Sequence, residues 1–372
     1  MGIGTTGPRA PLRHSAGLGE APLMTDTMQA ARLDLRTGTF AVEDVPVPEP
    51  GPGQVRIEVK AAGICLSDVH LIDGSLTPVH ATADKVTLGH ETAGIINALG
   101  PGVPGPWTVG QRVLLQAGER CGSCAACTRF EPCPAVRTRG VDYDGGWAHY
   151  ALASAHTLVA LPDDLPFAQA AVIPDAVSTP WAAITTTGQV RPGRPAGVWG
   201  IGGLGTHAVQ LLRLAGAAPV VAVDPLASAR DRALAAGADL ALDPADPALR
   251  DHVLAATAGR GLDLALDFAG VAAVRDQAVR CLSHGGRLVL VGLGREPLTV
   301  TNSIAFSYRE QHVLGHYGSA PAHVEELVAL ARLHRLDLRD SITATLPLAE
   351  AAQGVEQLRT KTGDPVRIVL VP

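Results

Sequence analysis

Lysine is nearly missing from this chain, which has three in 372 residues: Lys60, Lys85 and Lys361. With a net charge of −6 and no block of Lys or Arg, it offers no electrostatic footprint for nucleic acid. Long apolar runs are missing too. None reaches the ~18 residues that a membrane-spanning helix needs. The first 27 residues, MGIGTTGPRAPLRHSAGLGEAPLMTDT, lack the apolar stretch of a secretory signal. They are expected to form a loose tail ahead of the periodic sequence, which begins at Met28. No internal repeat is evident. A cytoplasmic protein without nucleic-acid or membrane partners is therefore expected.

The composition that remains, 47% hydrophobic and 18% charged, is that of a folded globular protein. Its length suggests about two domains. Two textures divide the chain. Residues 28–176 hold short Val-, Gly- and Pro-rich runs such as QVRIEVKAAGI (54–64) and QRVLLQA (111–117), which predict many short strands. From 177 to 317 strand-like and helix-like segments alternate: VWG (198–200), a helix over 204–217, PVVAVD (219–224), a helix over 229–238, LDLALDFAG (262–270), a helix over 274–286 and RLVLVGL (287–293). That alternation predicts parallel βαβ units. A helix over 323–334 and a last strand, VRIVLV (366–371), follow.

Three patterns carry chemistry. Gly200-Ile201-Gly202-Gly203-Leu204-Gly205 fits the G-x-G-x-x-G turn, lies between a strand and a helix, and is followed nineteen residues on by Asp224. Gly200 allows the tight turn, Gly202 the approach of a pyrophosphate, and Gly205 close helix–strand packing. The helix N-terminus supplies N–H donors to the phosphates. Asp224 would accept from the ribose hydroxyls and repel a 2′-phosphate, which favours NAD(H) over NADP(H).

The second pattern lies among six cysteines, four of which crowd into thirteen positions: Cys121, Cys124, Cys127 and Cys133. Such spacing favours a closed tetrahedral structural zinc site over disulfides. Cys281 reads as a small buried hydrophobe. The third pattern joins Cys65 of GICLSDVH, His90 of TLGHETAG and Asp175 of IPDA. A thiolate, an imidazole and a carboxylate can hold Zn²⁺ as a neutral centre and leave a fourth position open for chemistry. An N-cap aspartate for the helix AVSTPWAAITTT is the alternative for Asp175.

From Met28 onward the chain resembles the zinc-dependent alcohol dehydrogenases of the medium-chain dehydrogenase/reductase family. It carries their Cys-x-Ser-Asp-x-His segment, their Gly-His-Glu, their four-cysteine lobe and their G-x-G-G-L-G in the same order. The resemblance implies an α/β protein: a GroES-like β-rich catalytic domain from residues 28–176 and 318–372, with the zinc lobe at 118–136, and a Rossmann NAD-binding domain over 177–317. It implies two zinc ions per chain, NAD(H), a small alcohol or carbonyl substrate, and a homodimer or homotetramer. Cys65, His90 and Asp175 would be the catalytic metal ligands, with Glu91 a nearby acid able to bind the metal transiently. Asp68 would orient His90, unless it is a surface acid. Ser67 would take the alcohol proton and pass it through the ribose to His70, while hydride goes to the nicotinamide. Thr179 would pack on the nicotinamide. Arg367 would reach the pyrophosphate, a strand-edge surface charge being the alternative. His207 and His149 read as structural.

Departures from the family pattern matter as well. The last gap in the lobe is five residues rather than seven. Leu66 replaces a common Arg or His at the pyrophosphate, and Ala229 a lysine at the ribose, with Arg230 adjacent. Ala117 stands where a bulky aromatic often favours primary alcohols, and Leu76 is expected to supply an apolar wall. Together they predict a roomy cleft for secondary or bulky alcohols. The competing readings are a double-bond reductase of the same superfamily and a non-catalytic NAD(H)-binding sensor.

Overall fold

Alternate residues of QVRIEVKAAGI are apolar, and Gln54–Ile64 forms the strand that this period predicts, burying Val55, Ile57, Val59 and Ala61. In the computed structural model, which describes residues 26–81, 83–129, 131 and 133–372, this strand is the hub of the first sheet. Glu91–Leu99 pairs along one edge. Tyr150–Ser154 and Arg367–Val371 share the other, the former against residues 54–58 and the latter against 62–64. Arg112–Leu115, Leu158–Ala160 and Ile342–Pro347 complete seven strands. A smaller antiparallel sheet places Thr27–Asp34 between Phe40–Pro46 and Lys85–Thr87. The expected tail lies outside the described residues up to position 25, and pairing already begins at Thr27.

The second sheet is wholly parallel. Its strands are Ala196–Trp199, Val220–Val223, Leu240–Leu242, Leu262–Asp267, Leu282–Leu290 and His312–Gly315. In space they run third, second, first, fourth, fifth, sixth, the doubly wound order of a Rossmann domain. Ala196–Trp199 and Val220–Val223 are buried at every position, as strands covered on both faces must be. One expectation fails here. The helix predicted over 274–286 stops at Cys281, and the next strand starts at Leu282 rather than at 287. His284 and Gly285 bulge outward, and the pairing with Leu262–Asp267 shifts register across them.

The two sheets meet along a helical segment from Phe167 to Thr187. It is interrupted by π-helical turns at Ile173–Val177 and Ala183–Thr187 on either side of Ser178–Ala182. One apolar cluster crosses this join, from Ala61, Ala93 and Leu114 of the first sheet through Ile173, Val177 and Ile184 to Val198 and Leu266 of the second. Asp175 therefore lies within a continuous helical run, and the N-cap reading of it is wrong. No helix among the described residues is long and apolar enough to cross a membrane.

Candidate active site

Cys65 is the N-cap of the short helix Leu66–Ile72. Its backbone N–H donates to Asp68 Oδ2 at 2.8 Å, which fixes the thiol at the end of the central strand. Asp68 is fully buried, not a surface acid, and its Oδ1 lies 3.5 Å from His90 Nδ1. On the other side of the imidazole, His90 Nε2 lies 3.5 Å from Asp175 Oδ2, which in turn lies 3.4 Å from Cys65 Sγ. The π-helical turn carries Asp175 here, and Thr179 one turn on donates its hydroxyl to Asp175 Oδ1 at 2.7 Å. Donor atoms of Cys65, His90, Glu91 and Asp175 all lie within 4.8 Å of one another.

The spacing tests the fit of a metal. Zn–S of about 2.3 Å and Zn–N or Zn–O of about 2.0–2.2 Å in a tetrahedron put neighbouring donors roughly 3.4–3.6 Å apart, and the separations of 3.4 and 3.5 Å match that. Burial lowers the affinity of His90 for a proton, but the Asp68 carboxylate and the bond to Asp175 outweigh it and raise its pKa well above the usual imidazole range. Burial would raise Asp175, yet His90 holds it well below the ordinary carboxylate range. The raised His90 pKa shows that the surrounding carboxylates favour a positive charge at this point.

Glu91 sits behind this set. Gly63 leaves it room: a Cβ there would meet Glu91 Oε2 at 2.0 Å. Burial pushes the Glu91 carboxyl up to about 7, against the pull of Arg367, whose Nη1 is 3.3 Å away. Arg367 is 2% exposed, which rules out a strand-edge surface charge. Its guanidinium lies beneath the phosphate turn, 3.0 Å from where a Cβ on Gly203 would be. Its Nε and Nη2 find no hydrogen-bond partner among the described residues. Two buried, unspent donors under a glycine turn suit a pyrophosphate.

The turn itself is braced by Asp224, whose Oδ2 accepts from Ile201 N–H at 2.7 Å and Oδ1 from Leu226 N–H at 2.9 Å. Gly200, Gly202, Gly203, Leu204 and Gly205 open on a cleft of about 1150 Å³ that also admits Cys65, Ser67, His70, His90, Ala117, Asp175, Thr179 and Asp224. That exceeds the ~300–1,000 Å³ of a single small-ligand pocket. Ser67 Oγ lies 3.3 Å from Cys65 Sγ at the inner end. His70 stands half-exposed at the rim, its Nδ1 paired with Ser75 Oγ at 2.8 Å.

Two sequence expectations are corrected. Arg230 is not among the residues that line the cleft, and its Nη1 is spent on the Asp224 and Pro225 carbonyls and on Asp243 at 3.1 Å. Arg232, which the sequence reading missed, lines the cleft instead, held by Asp364 at 2.9 Å and by the Ile201 carbonyl. Helical spacing was the available signal, because Ala229 and Arg232 share a face that Arg230 does not. Leu76 packs against the core of the first sheet and is not part of the cleft wall, which Leu66, Val141, Leu293 and Tyr317 provide. Tyr317 was also missed, since only the fold brings residues 316–320 back to Asp175.

The four-cysteine lobe also closes. Cys121 and Cys127 Sγ are 3.9 Å apart, Cys124 and Cys133 3.8 Å, and Cys133 and Cys121 3.6 Å. Sulfurs at about 2.3 Å from one tetrahedral zinc are roughly 3.8 Å apart, so the five-residue gap is long enough. Backbone N–H groups of Ser123 and Cys124 draw the Cys121 thiol down to about 6, towards the thiolate that ligation needs.

Residues 51–163 match the alcohol dehydrogenase GroES-like domain family, and residues 203–332 the zinc-binding dehydrogenase family. The chain is 34% identical to an NDMA-dependent alcohol dehydrogenase of Amycolatopsis methanolica, over 89% of this chain and 95% of that one. A putative zinc-binding dehydrogenase from Sinorhizobium meliloti 1021, solved bound to NADP, superimposes with a TM-score of 0.85 at 27% identity, covering 94% of this chain and all of that one. An acetophenone reductase from Geotrichum candidum, solved with NAD, gives 0.79 at 27% identity, covering 95% and 99%. The chain belongs to the zinc-type medium-chain dehydrogenase/reductase family. It is an oxidoreductase of the alcohol dehydrogenase group.

Proposed function

We propose that the protein is a zinc-dependent NAD(H) alcohol dehydrogenase acting on secondary or bulky alcohols, or on the corresponding carbonyls. One observation carries this reading: Cys65, His90 and Asp175 converge on the cleft onto which the Gly200–Gly205 turn opens. Zinc held by those three side chains would supply a Lewis acid that acidifies the substrate hydroxyl. Ser67, 3.3 Å from Cys65 Sγ, would accept that proton, and His70, half-exposed on the same cleft, would hand it to solvent. Thr179 donates to Asp175 and, as a cleft residue, would pack on the nicotinamide. Hydride leaves the carbinol carbon for the oxidised nicotinamide, so that alcohol and NAD⁺ become carbonyl, NADH and one proton. The carboxylate of Asp224 favours NAD(H), since a 2′-phosphate would meet like charge. Cys121, Cys124, Cys127 and Cys133 would hold a second zinc that ties the lobe together.

Elemental analysis together with NAD reduction tests the reading. About two zinc per chain and NADH formation dependent on a secondary alcohol are expected. One zinc and no turnover would favour a sensor. Turnover of an activated alkene with NADPH would favour a double-bond reductase. Ala117→Phe should cut turnover of large alcohols more than that of ethanol; equal losses would remove the roomy-cleft assignment.

A further inference from the structure

The ladder between the central strand and Glu91–Leu99 ends where Gly63 faces Glu91. Cys65 and His90 both lie beyond that end, on separate segments, so strand pairing alone does not fix the thiol against the imidazole. Asp68 bridges them through the Cys65 N–H and the His90 ring. Trp147, fully buried, adds a second bridge between the two backbones. Its own segment runs along residues 88 and 89: Trp147 N–H donates to the Leu88 carbonyl at 2.9 Å, and Gly146 N–H to the Gly89 carbonyl at 2.8 Å. Its side chain reaches the other segment, where indole Nε1–H donates to the Gly63 carbonyl at 3.0 Å. Burial obliges an indole N–H to find an acceptor, and the one taken here is on the strand that leads to Cys65.

The same ring fills the space beside Gly89, where a Cβ would meet Trp147 Cδ1 at 2.2 Å. Gly140 and Gly145 crowd Gly89 as well: a Cβ on the first would meet Gly89 N at 2.6 Å, and one on the second its carbonyl oxygen at 2.3 Å. Phe40 packs edge-on against the indole, with ring centroids 6.0 Å apart. One immobile side chain therefore touches the residue before His90 and the residue two before Cys65.

We infer that Trp147 is a positioning residue for the candidate metal centre: its indole clamps the Gly63 carbonyl and the Gly89 backbone together, and so holds the Cys65 thiol and the His90 imidazole at the spacing that retains a metal ion. This rests on the zinc-dependent reading above. Loss of a group that orients metal ligands weakens metal binding by roughly 10–100-fold.

The test follows zinc release from the zinc-loaded full-length protein to a chromophoric chelator. The phase that Cys65→Ser removes belongs to the cleft, and the other to the four-cysteine lobe. Trp147→Phe keeps a ring beside Gly89 and deletes the N–H. It should speed the cleft phase about tenfold and leave the lobe phase unchanged. Ile96→Val, a small cavity in the same sheet, should lower Tm without speeding either phase. An unchanged cleft phase in Trp147→Phe, or an equal acceleration in Ile96→Val, would overturn the inference. If Trp147→Phe does not fold, Phe40→Leu leaves the indole in place but loosens its support. Acceleration of the cleft phase alone then supports the clamp, and no acceleration overturns it. A wild-type curve with no phase that Cys65→Ser removes would sink the zinc-dependent reading and this one with it, whereas a cleft phase indifferent to Trp147 sinks this one alone.

Discussion

Leu66 opens its helix on the cleft wall beside Ser67, 46% exposed. Nothing packs tightly on it, so a longer side chain can lie along the wall without displacing the core. Leu66→Arg places a guanidinium on the face that the Arg367 donors and the glycine turn already make suitable for a pyrophosphate. Such a charge-assisted bond is worth on the order of 1–2 kcal/mol. NADH fluorescence titration should therefore show a Kd several-fold to tenfold lower, and an unchanged Kd would refute the placement. The residues that sequence misjudged share one cause. Arg230 and Arg232 are equally basic and two apart, and only the rotation of about 100° per helical residue decides which faces the ligand. Leu76 is apolar, which signals burial without saying against what. Arg367 and Glu91 were legible as charges, but their mutual burial depends on two strands far apart in sequence.

The glycine turn separates two roles that its motif lumps together. A Cβ on Gly205 would sit 1.8 Å from the Gly200 carbonyl oxygen, a rigid backbone atom, whereas a Cβ on Gly202 would meet nothing within 4 Å. Gly205→Ala should therefore force the strand and helix apart and lower Tm, with a loss in the range of about 1–3 kcal/mol or more that overpacking causes. Gly202→Ala should leave Tm unchanged but fill the space where the backbone meets the phosphates, weakening NADH at least tenfold. Thermal melts and NADH titrations on both variants check this; equal Tm losses would contradict it. Most elements were legible because period-2 and period-3.6 patterns are local. The π-helical turns were not, because a single widened turn leaves the apolar pattern of 173–187 almost unchanged. Yet that turn is what carries Asp175 towards Cys65 and His90.

Across the whole molecule, the two sequence textures mark the two sheets, since a mixed antiparallel sheet and a parallel one impose different run lengths and spacings. The join between them is written in contacts that no local pattern predicts: Ser178 to Ser319, Thr187 to His316, and Trp181 Nε1 donating to Glu326 at 2.6 Å. His207 belongs to this join. It lies on Gly205–Leu214 behind the phosphate turn, 2% exposed, with Nε2 2.8 Å from Ser341 Oγ of the first domain. Burial, aided by the nearby Arg367 charge, lowers its pKa from 6.5 to about 3. Between those two values the unfolded chain binds a proton that the folded chain refuses. The stability that His207 contributes is therefore complete above pH 6.5 and is lost as pH falls towards 3, at up to about 1.4 kcal/mol per pH unit. His207→Gln keeps a side chain able to bond Ser341 and removes the titration. Between about pH 7.5 and 5 the Tm of wild type should fall more steeply than that of the variant, and parallel curves would show that the imidazole at the domain join is not held neutral.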